Sequence, residues 1–317
     1  MKLARILATG LISLGAISAY AQNISFGIIA TDSASAQRER WEPFFRDMEK
    51  KTGLKIQSFY APDYAGVIEA MRFNKIQVAW YGNKAAIDAV DRSQGEVFAQ
   101  FVDLDGTPGY YSYLITHKDS AIKTLDQVLK NGKDFTFGIG DPSSTSGTLV
   151  PTYYVFTMNK LDPKTHFKVM RSSNHEGNFL AVLNKQVDIA TSNSEMTEKM
   201  KEKSPEKMDQ IRILWTSPLI PRDPLVWRKD LPSDVKKKVQ DFVVGYGKDA
   251  REKEILKNMY RLAGFKASTD AQLIPIRQLE LFKDRMKFES DVNMSAAEKQ
   301  TKIADIDAKL AALAKAK

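Results

Sequence analysis

The fold is decided by the stretch Phe135-Thr136-Phe137-Gly138-Ile139-Gly140-Asp141-Pro142-Ser143-Ser144-Thr145-Ser146-Gly147. Residues 135–140 are β-prone and predict a strand, and residues 148–156, which follow the quoted stretch, predict a helix. The turn between them carries three consecutive hydroxyls, Ser144, Thr145 and Ser146. A helix N-terminus offers unpaired N–H groups and the positive end of the helix dipole. Together with the hydroxyls, this arrangement suits a small tetrahedral oxyanion such as phosphate, sulfate or a phosphonate.

The loop has two features that restrict this interpretation. It contains no lysine, so it is not a nucleotide-binding P-loop, which would need the pattern Gly-x-x-x-x-Gly-Lys-Ser/Thr. Ser and Thr more commonly serve only to cap a helix, but three hydroxyls directly after a strand favour a ligand. Pro151 lies about one turn into the predicted helix, where its missing N–H should bend the helix or delay its start.

The first 21 residues have the organisation of a secretory signal peptide. Lys2 and Arg5 form the basic start, an apolar run follows, and Ala19-Tyr20-Ala21 is a small-residue site that predicts cleavage after Ala21. The absence of cysteine excludes disulfides, thiolate chemistry and lipoprotein acylation. No later segment has the apolar length of a membrane span. We therefore expect export to a bacterial periplasm.

The formal net charge of the full sequence is +8, and removal of residues 1–21 would leave +6. The lysines are spread along the chain and are not clustered with aromatic residues, so no nucleic-acid partner is expected. A basic field would attract an anionic ligand, but a solvated surface explains the charge equally well.

The chain alternates short apolar runs with helix-like stretches, which predicts α/β units and a largely parallel sheet. Residues 110–116 and 225–228 break this alternation, and we interpret them as paired strands that cross between two lobes. Residues 22–114 together with 226–290 would then form lobe one. Residues 115–225 would form lobe two.

The C-terminal segment, residues 291–317, is predicted to be an amphipathic helix. Ser295 and Glu298 have the spacing of a capping box. Four apolar residues then recur at spacings of three and four: Ile303, Ile306, Leu310 and Leu313. The stripe fits either a helix docked on its own lobe or a homodimer contact through residues 295–314.

Other candidate ligand-binding residues lie in polar turns or next to the crossings. His175 follows a predicted strand and lies at a helix start, where an imidazole can donate to an oxyanion. Glu195 and Asp223 lie at strand ends, the edge where open α/β sheets bind ligands, and they would suit an ammonium group. Tyr64 and Tyr110 offer phenol hydroxyls and ring faces. The alternatives are a lone surface histidine and solvated carboxylates.

Catalysis has little support in the sequence. Ser144, His175 and Glu195 can be drawn as a Ser-His-acid set, but there is no nucleophile elbow. No cluster has metal-ligand spacing, so neither a metal nor a cofactor is expected. Trp80 and Tyr81 are interpreted as strand-end packing.

Several stretches, taken together, resemble the phosphonate-binding proteins of bacterial ABC transporters. The resemblance extends from the first strand to about Lys283. The matching stretches are Phe59-Tyr60-Ala61-Pro62-Asp63-Tyr64-Ala65-Gly66, Met71-Arg72-Phe73-Asn74-Lys75, Val78-Ala79-Trp80-Tyr81-Gly82-Asn83, residues 141–147, Ser217-Pro218-Leu219-Ile220-Pro221, Asp223-Pro224 and Val226-Trp227-Arg228-Lys229.

This resemblance implies a two-lobe periplasmic binding protein of type II-like α/β fold, which closes on its ligand by a hinge motion and delivers it to a membrane permease with separate ATPase subunits. It implies 2-aminoethylphosphonate or a close analogue as the ligand. The residues implied to hold the phosphonate are Ser144, Thr145, Ser146, His175 and Tyr110. Those implied to hold the amino end are Tyr64, Glu195 and Asp223. A secreted phosphohydrolase or transferase, and a sensor subunit for phosphate or phosphonate, remain as alternatives.

Overall fold

The computed structural model describes residues 23–316, and the predicted signal peptide lies outside them. The strands, in chain order, are β1 (Asn23–Ile28), β2 (Lys55–Tyr60), β3 (Val78–Trp80), β4 (Gly95–Asp103), β5 (Gly109–Tyr110), β6 (Ser112–His117), β7 (Thr136–Ile139), β8 (Val169–Ser172), β9 (Ile189–Asn193), β10 (Ile211–Thr216), β11 (Ile220–Pro221), β12 (Pro224–Arg228) and β13 (Leu262–Ala267). The α-helices are α1 (Ala34–Thr52), α2 (Tyr64–Arg72), α3 (Asn83–Arg92), α4 (Leu125–Lys130), α5 (Pro163–His166), α6 (His175–Leu183), α7 (Ser194–Lys203), α8 (Pro205–Met208), α9 (Ser233–Gly245), α10 (Ala250–Tyr260), α11 (Ile274–Ser290) and α12 (Ala296–Lys315). Short 3₁₀ turns cover Gly132–Asp134, Thr157–Asn159 and Asp270–Leu273.

These strands form two main sheets, and the predicted two-lobe α/β fold is confirmed. The first lobe is built on a six-stranded sheet with the order β13-β4-β12-β3-β1-β2. The second lobe is built on a five-stranded sheet with the order β10-β6-β9-β7-β8. In each sheet the parallel pairs, such as β1 with β2 and β7 with β8, are connected through helices that cover the sheet.

The chain passes between the two sheets twice, once through β5 and once through β11. These two short strands pair with one another as an antiparallel ribbon, with Tyr110 opposite Ile220. Residues 110–116 and 225–228, interpreted as the two crossings, do not hydrogen-bond to one another, because residues 110–116 pair with β11, β9 and β10. Residues 225–228 lie in β12, which is inserted between β3 and β4, because the apolar Leu225 and Val226 are fully buried there. The boundaries 114/115 and 225/226 between the lobes stay predictions.

Each lobe has its own apolar core. In the first lobe an aromatic group centred on Trp41 packs against Phe26, Phe45 and Trp80, with ring centroids 5.1–5.8 Å apart. In the second lobe Phe137 stacks on Phe167 at 4.3 Å. These cores bury most of the large side chains and hold the strand ends that carry the candidate site.

The predicted C-terminal helix is present as α12, and its capping box at Ser295 and Glu298 is confirmed. Of its apolar stripe, Ile306 is buried and the other three residues are half-buried. The helix packs in cis on α11, with Arg285 donating to Asp307 at 2.9 Å. Within residues 23–316, we find no helix with the length and apolar character needed to cross a bilayer.

Candidate functional site

The loop of residues 141–147, called here the anion loop, joins β7 to the helical segment of the second lobe. Gly140 N donates to Gly147 O at 2.9 Å and closes the loop at its base. A Cβ on Gly140 would lie 2.6 Å from the Gly147 Cα, so only glycine allows this approach. The tight base holds the three hydroxyl residues between the sheet and the helix start.

The helix that follows begins at Thr145 and not at Thr148 as predicted, because its first turns are π-helical, at Thr145–Leu149 and Thr152–Phe156. Ser144 is its N-cap and accepts from Gly147 N at 3.0 Å. Pro151 lies where the two π-helical turns meet, and a widened turn is one way in which a helix accommodates a residue without an N–H. The N–H groups of Thr145 and Ser146, in the first turn, have no carbonyl partner within the helix.

The anion loop contacts two helix N-termini of the first lobe. The Asp141 carboxylate accepts from the backbone N–H of Tyr64, the first residue of α2, at 3.1 Å. The Thr145 hydroxyl accepts from the backbone N–H of Lys84 in the first turn of α3, at 2.9 Å. The Thr145 hydroxyl keeps its own proton to donate.

The same loop contacts two helix N-termini of the second lobe. Ser144 Oγ lies 3.5 Å from Nε2 of His175, the first residue of α6. Ser146 Oγ accepts from the side-chain amide of Asn193, the N-cap of α7, at 3.3 Å. With its own helix, the loop therefore lies where five helix N-termini meet, and their dipoles all favour an anion there.

The side chains of His175, Tyr64 and Tyr110, which lie around the anion loop, are buried and neutral. Burial lowers the pKa of His175 to about 4, so the imidazole is neutral at pH 7, and its Nδ1 is buried without a partner. Burial also raises the pKa of Tyr64 and of Tyr110 well above the usual value, so both phenols keep their proton. Each of these groups can therefore donate a hydrogen bond to an oxyanion.

Asp223 lies on the opposite side of the same space. The indole N–H of Trp80 donates to one carboxylate oxygen, Oδ2, at 3.1 Å, and the other oxygen, Oδ1, is buried without a partner. A Cβ on Gly82 would lie 3.3 Å from the Thr145 hydroxyl and 3.9 Å from Asp223 Oδ1, so the two polar groups approach the same backbone position. Trp80, interpreted from the sequence as packing, thus also orients this carboxylate.

Asp223 and Glu195, called here the carboxylate pair, are near enough to influence one another. Burial, reinforced by the charge of Glu195, holds the pKa of Asp223 well above its ordinary value, and Arg222 acts in the opposite direction. Glu195 is not free, because it forms an ion pair with Arg222. Arg222 also pairs with Asp103 at 3.1 Å. Burial raises the pKa of Asp103 to about 6.

The structure thus brings every predicted site residue into one interlobe region. A cleft of about 750 Å³, open to solvent, adjoins it and is lined by His175, Asn193, Glu195 and Trp80. Sequence reasoning missed Asp103 and Asp141 as members of this region. Asp141 lies in the anion loop, and its carboxylate accepts a hydrogen bond from the backbone N–H of Ser143 at 2.8 Å. An Asp that bonds to the backbone two residues later is a common turn pattern, which the sequence could have indicated.

Two ion-pair groups that line the cleft, called here the cleft-mouth ion pairs, link the two lobes. Lys199 of the second lobe bridges Asp32 of the first lobe, at 3.3 Å, and Glu176, at 3.2 Å. Glu176 also accepts from the backbone N–H of Ser33 at 3.1 Å. Arg261 of the first lobe pairs with Glu198 and Glu202 of α7. Contacts of this kind hold two lobes together in a closed form.

The arrangement is poorly suited to nucleophilic catalysis. Ser144 and His175 are 3.5 Å apart, a long contact, and Ser144 Oγ accepts a backbone N–H. Glu195, the acid of the set drawn from the sequence, pairs with Arg222 and leaves His175 Nδ1 without an orienting carboxylate. Among residues 23–316, no group of three or more acidic or histidine side chains is placed to hold a metal ion.

Comparison with known proteins shows the family to which the chain belongs. The sequence model of the family described as "ABC transporter, phosphonate, periplasmic substrate-binding protein" matches residues 26–273. The chain is 50% identical over 287 residues to the phosphonates-binding periplasmic protein of Escherichia coli K12, covering 90% of this chain and 84% of that protein.

A solved structure and a more distant relative extend the comparison. A binding protein component of an ABC phosphonate transporter from Pseudomonas aeruginosa matches with a TM-score of 0.91 and 51% identity, covering 93% of this chain and 97% of that one. A phosphate-import protein of Mycolicibacterium smegmatis is 28% identical over 214 residues, covering 63% of this chain and 64% of that protein. This chain belongs to the family of periplasmic substrate-binding proteins of phosphonate ABC transporters.

Proposed function

We propose that this protein captures 2-aminoethylphosphonate, or a close aminoalkylphosphonate, between its lobes and delivers it to the permease of an ABC importer without chemical turnover. The observation that carries the proposal is the pairing of two unlike halves in one site. Five helix N-termini and a hydroxyl loop form one half, and a buried carboxylate with an unpartnered oxygen forms the other.

The phosphonate group belongs on the anion loop. Ser144, Thr145 and Ser146 supply hydroxyl donors and the free N–H groups of the first helical turn. His175 and Tyr110 supply two further neutral donors that burial keeps in their donating form. Because these donors are fixed by contacts to four other helices, little ordering is needed when the oxyanion binds.

The ammonium group belongs on the carboxylate pair. Asp223 Oδ1 is the buried acceptor that lacks a donor, and Tyr64 lies close enough for the Asp223 charge to act on its phenol. Glu195 adds a second negative charge at the cleft side. A buried unpartnered carboxylate oxygen is costly, and an ammonium group would satisfy it.

This division predicts selectivity against inorganic phosphate. Phosphate would fill the anion loop but would direct a negatively charged oxygen towards the carboxylate pair, and that repulsion disfavours it. The phosphate-import relative makes phosphate the natural competitor to test. A sensor subunit would bind the same ligand but would dock on a receptor.

We further propose that residues 22–114 with 226–290 form the first lobe, residues 115–225 form the second, and the β5–β11 ribbon is part of the hinge between them. Closure would bring the cleft-mouth ion pairs together and present the surface that a membrane permease recognises, while separate ATPase subunits hydrolyse ATP. Of the predicted C-terminal segment 291–317, α12 packs on α11, and a homodimer through residues 295–314 is a separate prediction, tested by the solution mass across protein concentrations.

The experiment is isothermal titration calorimetry of the mature chain with 2-aminoethylphosphonate, methylphosphonate and phosphate, each followed by a search for released product. Glu195→Gln tests the amine half, and Glu206→Gln, at an exposed position of α8, is its matched control. We expect tight binding of the amino compound, weakened only by Glu195→Gln, and no turnover. Equal binding of phosphate would contradict the selectivity, and product release would favour the hydrolase or transferase alternative.

A further inference from the structure

Arg222 is a buried cation that contacts no part of the anion loop. Its side chain is enclosed, with 2% of the residue exposed. Its guanidinium pairs with Asp103 and with Glu195, and it donates to the backbone carbonyl of Tyr260 at 3.3 Å. A guanidinium is always charged and binds two carboxylates in a fixed geometry, which lysine cannot reproduce.

The backbone of Arg222 is held as firmly as its side chain. It lies between the ribbon strand β11 and β12, and its carbonyl accepts from Gln100 at 3.1 Å and from Gln272 at 3.2 Å. Glu195, by contrast, lies in the first turn of α7 in the second lobe. The Arg222–Glu195 pair therefore links the segment between β11 and β12 to the first turn of α7, next to Asp223.

The charges around Asp223 show what this link does. Glu195 disfavours the ionised form of Asp223, Arg222 favours it, and the other groups near it, Trp80 and Tyr110, are neutral donors. Without Arg222, the buried Asp223 and the half-buried Glu195 would face one another with no cation between them, and this repulsion favours the protonated form of Asp223 more strongly. A protonated carboxyl is a weak partner for an ammonium group.

We propose that Arg222 is a specificity-determining residue that acts through Glu195 and Asp223, by fixing Glu195 and helping the carboxylate pair to ionise fully when a cationic tail binds, so that the site prefers ligands with such a tail. The inference rests on the proposed function. Arg222 touches no ligand and is a positioning residue, so its removal should change the preference between tails more than it changes the affinity for the phosphonate group.

The test uses two ligands of the same length, 2-aminoethylphosphonate and n-propylphosphonate, titrated by calorimetry at pH 7. For Arg222→Gln we expect the ratio of the two affinities to fall by about tenfold or more. A tenfold change corresponds to a rise of about one unit in the pKa of Asp223. The affinity for n-propylphosphonate should change by less than about threefold. Arg228→Gln is the matched control: Arg228, also buried, pairs with Asp230 at the far end of β12, and the ratio should stay constant.

Two further measurements separate this role from a structural one. Binding of the amino ligand to Arg222→Gln should release more protons than in the wild type, as seen in buffers of different ionisation enthalpy. The double variant Glu195→Gln with Arg222→Gln should recover part of the lost ratio, because the repelling carboxylate is gone.

A parallel loss for both ligands, or an unchanged ratio in Arg222→Gln, would overturn the inference while the proposed function stands. A wild-type ratio near one would remove the amine half of the proposed function and the inference with it.

Discussion

The anion loop and the carboxylate pair share one cleft, yet they are assembled from different distances along the chain. The hydroxyls of the loop are consecutive, and its closing bond joins Gly140 to Gly147. The carboxylate pair joins Glu195 at the start of α7 to Asp223 just before β12, and Arg222, which pairs with Glu195, also pairs with the distant Asp103. The hydroxyls of the anion loop are neutral and adjacent in the sequence. The carboxylate pair consists of charged groups that are distant in the sequence.

This difference separates general affinity from selectivity. Neutral donors on helix N-termini accept any tetrahedral oxyanion of the right size. Buried charges distinguish ligands, because an unmatched charge in a low-dielectric site is expensive. The following predictions, in order of falling effect, test whether the two regions act separately.

Substitution of Gly140 by Ala should disrupt the anion loop and with it the binding of the phosphonate group. The added Cβ would lie 2.6 Å from the Gly147 Cα, so the base of the loop must open. We expect affinity for amino and neutral-tail phosphonates alike to fall by about 100-fold or more, roughly 3 kcal/mol. Calorimetry would measure both ligands. Gly245→Ala is the control, since its Cβ would meet only the Lys248 side chain at 3.9 Å. A selective loss of one ligand would break the comparison.

Asp223→Asn should affect only the amine side. Loss of the buried acceptor of the ammonium should weaken 2-aminoethylphosphonate by about 30-fold, corresponding to roughly 2 kcal/mol, and leave n-propylphosphonate within about threefold. The ligand-free protein should melt at a higher temperature at pH 7, because a buried carboxylate with an unpartnered oxygen is removed. Equal weakening of both ligands would mean that the residue supports the whole site.

Binding of the amino ligand should release protons, with a sign that follows from Asp223. Its pKa is raised in the free protein, so the folded state favours the protonated form; that contribution to stability is present at low pH and is lost as pH rises through the raised value. A bound ammonium lowers the same pKa, so binding expels the proton and strengthens with rising pH. Calorimetry in several buffers should show release for 2-aminoethylphosphonate and less for Asp223→Asn. Proton uptake would contradict the assignment.

Lys199→Met should have the smallest effect and should not distinguish the ligands. Lys199 links Asp32 and Glu176 at the mouth of the cleft, and a partly exposed ion pair contributes about 1 kcal/mol or less. Affinity for both phosphonates should fall by no more than about fivefold, mainly through faster dissociation measured by stopped flow. Lys237→Met, which removes an exposed pair within α9, is the control. A selective loss of affinity for the amino ligand would mean that Lys199 also influences recognition of the ammonium group.

The sequence was sufficient for the features that depend on neighbouring residues. The strand before the anion loop, the three hydroxyls, and the capping box at Ser295 all follow from spacing within a few positions. The start of the helix was misplaced by three residues, because π-helical turns have no simple sequence signal.

Contacts between distant segments were not predictable from local patterns. The chain returns to the first sheet at β12, which pairs with β3 and β4. The sequence does not identify these partners, because a short apolar run is compatible with several neighbouring strands. Two contacts of the site were missed because their partners are distant in the sequence. Asp141 contacts the start of α2 across 77 positions, and Trp80 contacts Asp223 across 143 positions.

The central claim is that this site recognises both ends of its ligand, and the most direct measurement compares two ligands that differ only at the tail. Calorimetry of the wild-type mature chain with 2-aminoethylphosphonate and n-propylphosphonate should give a preference of about 10- to 100-fold for the amino compound, the range expected for a charge-assisted hydrogen bond. Equal affinities would contradict the account and leave only a general phosphonate site.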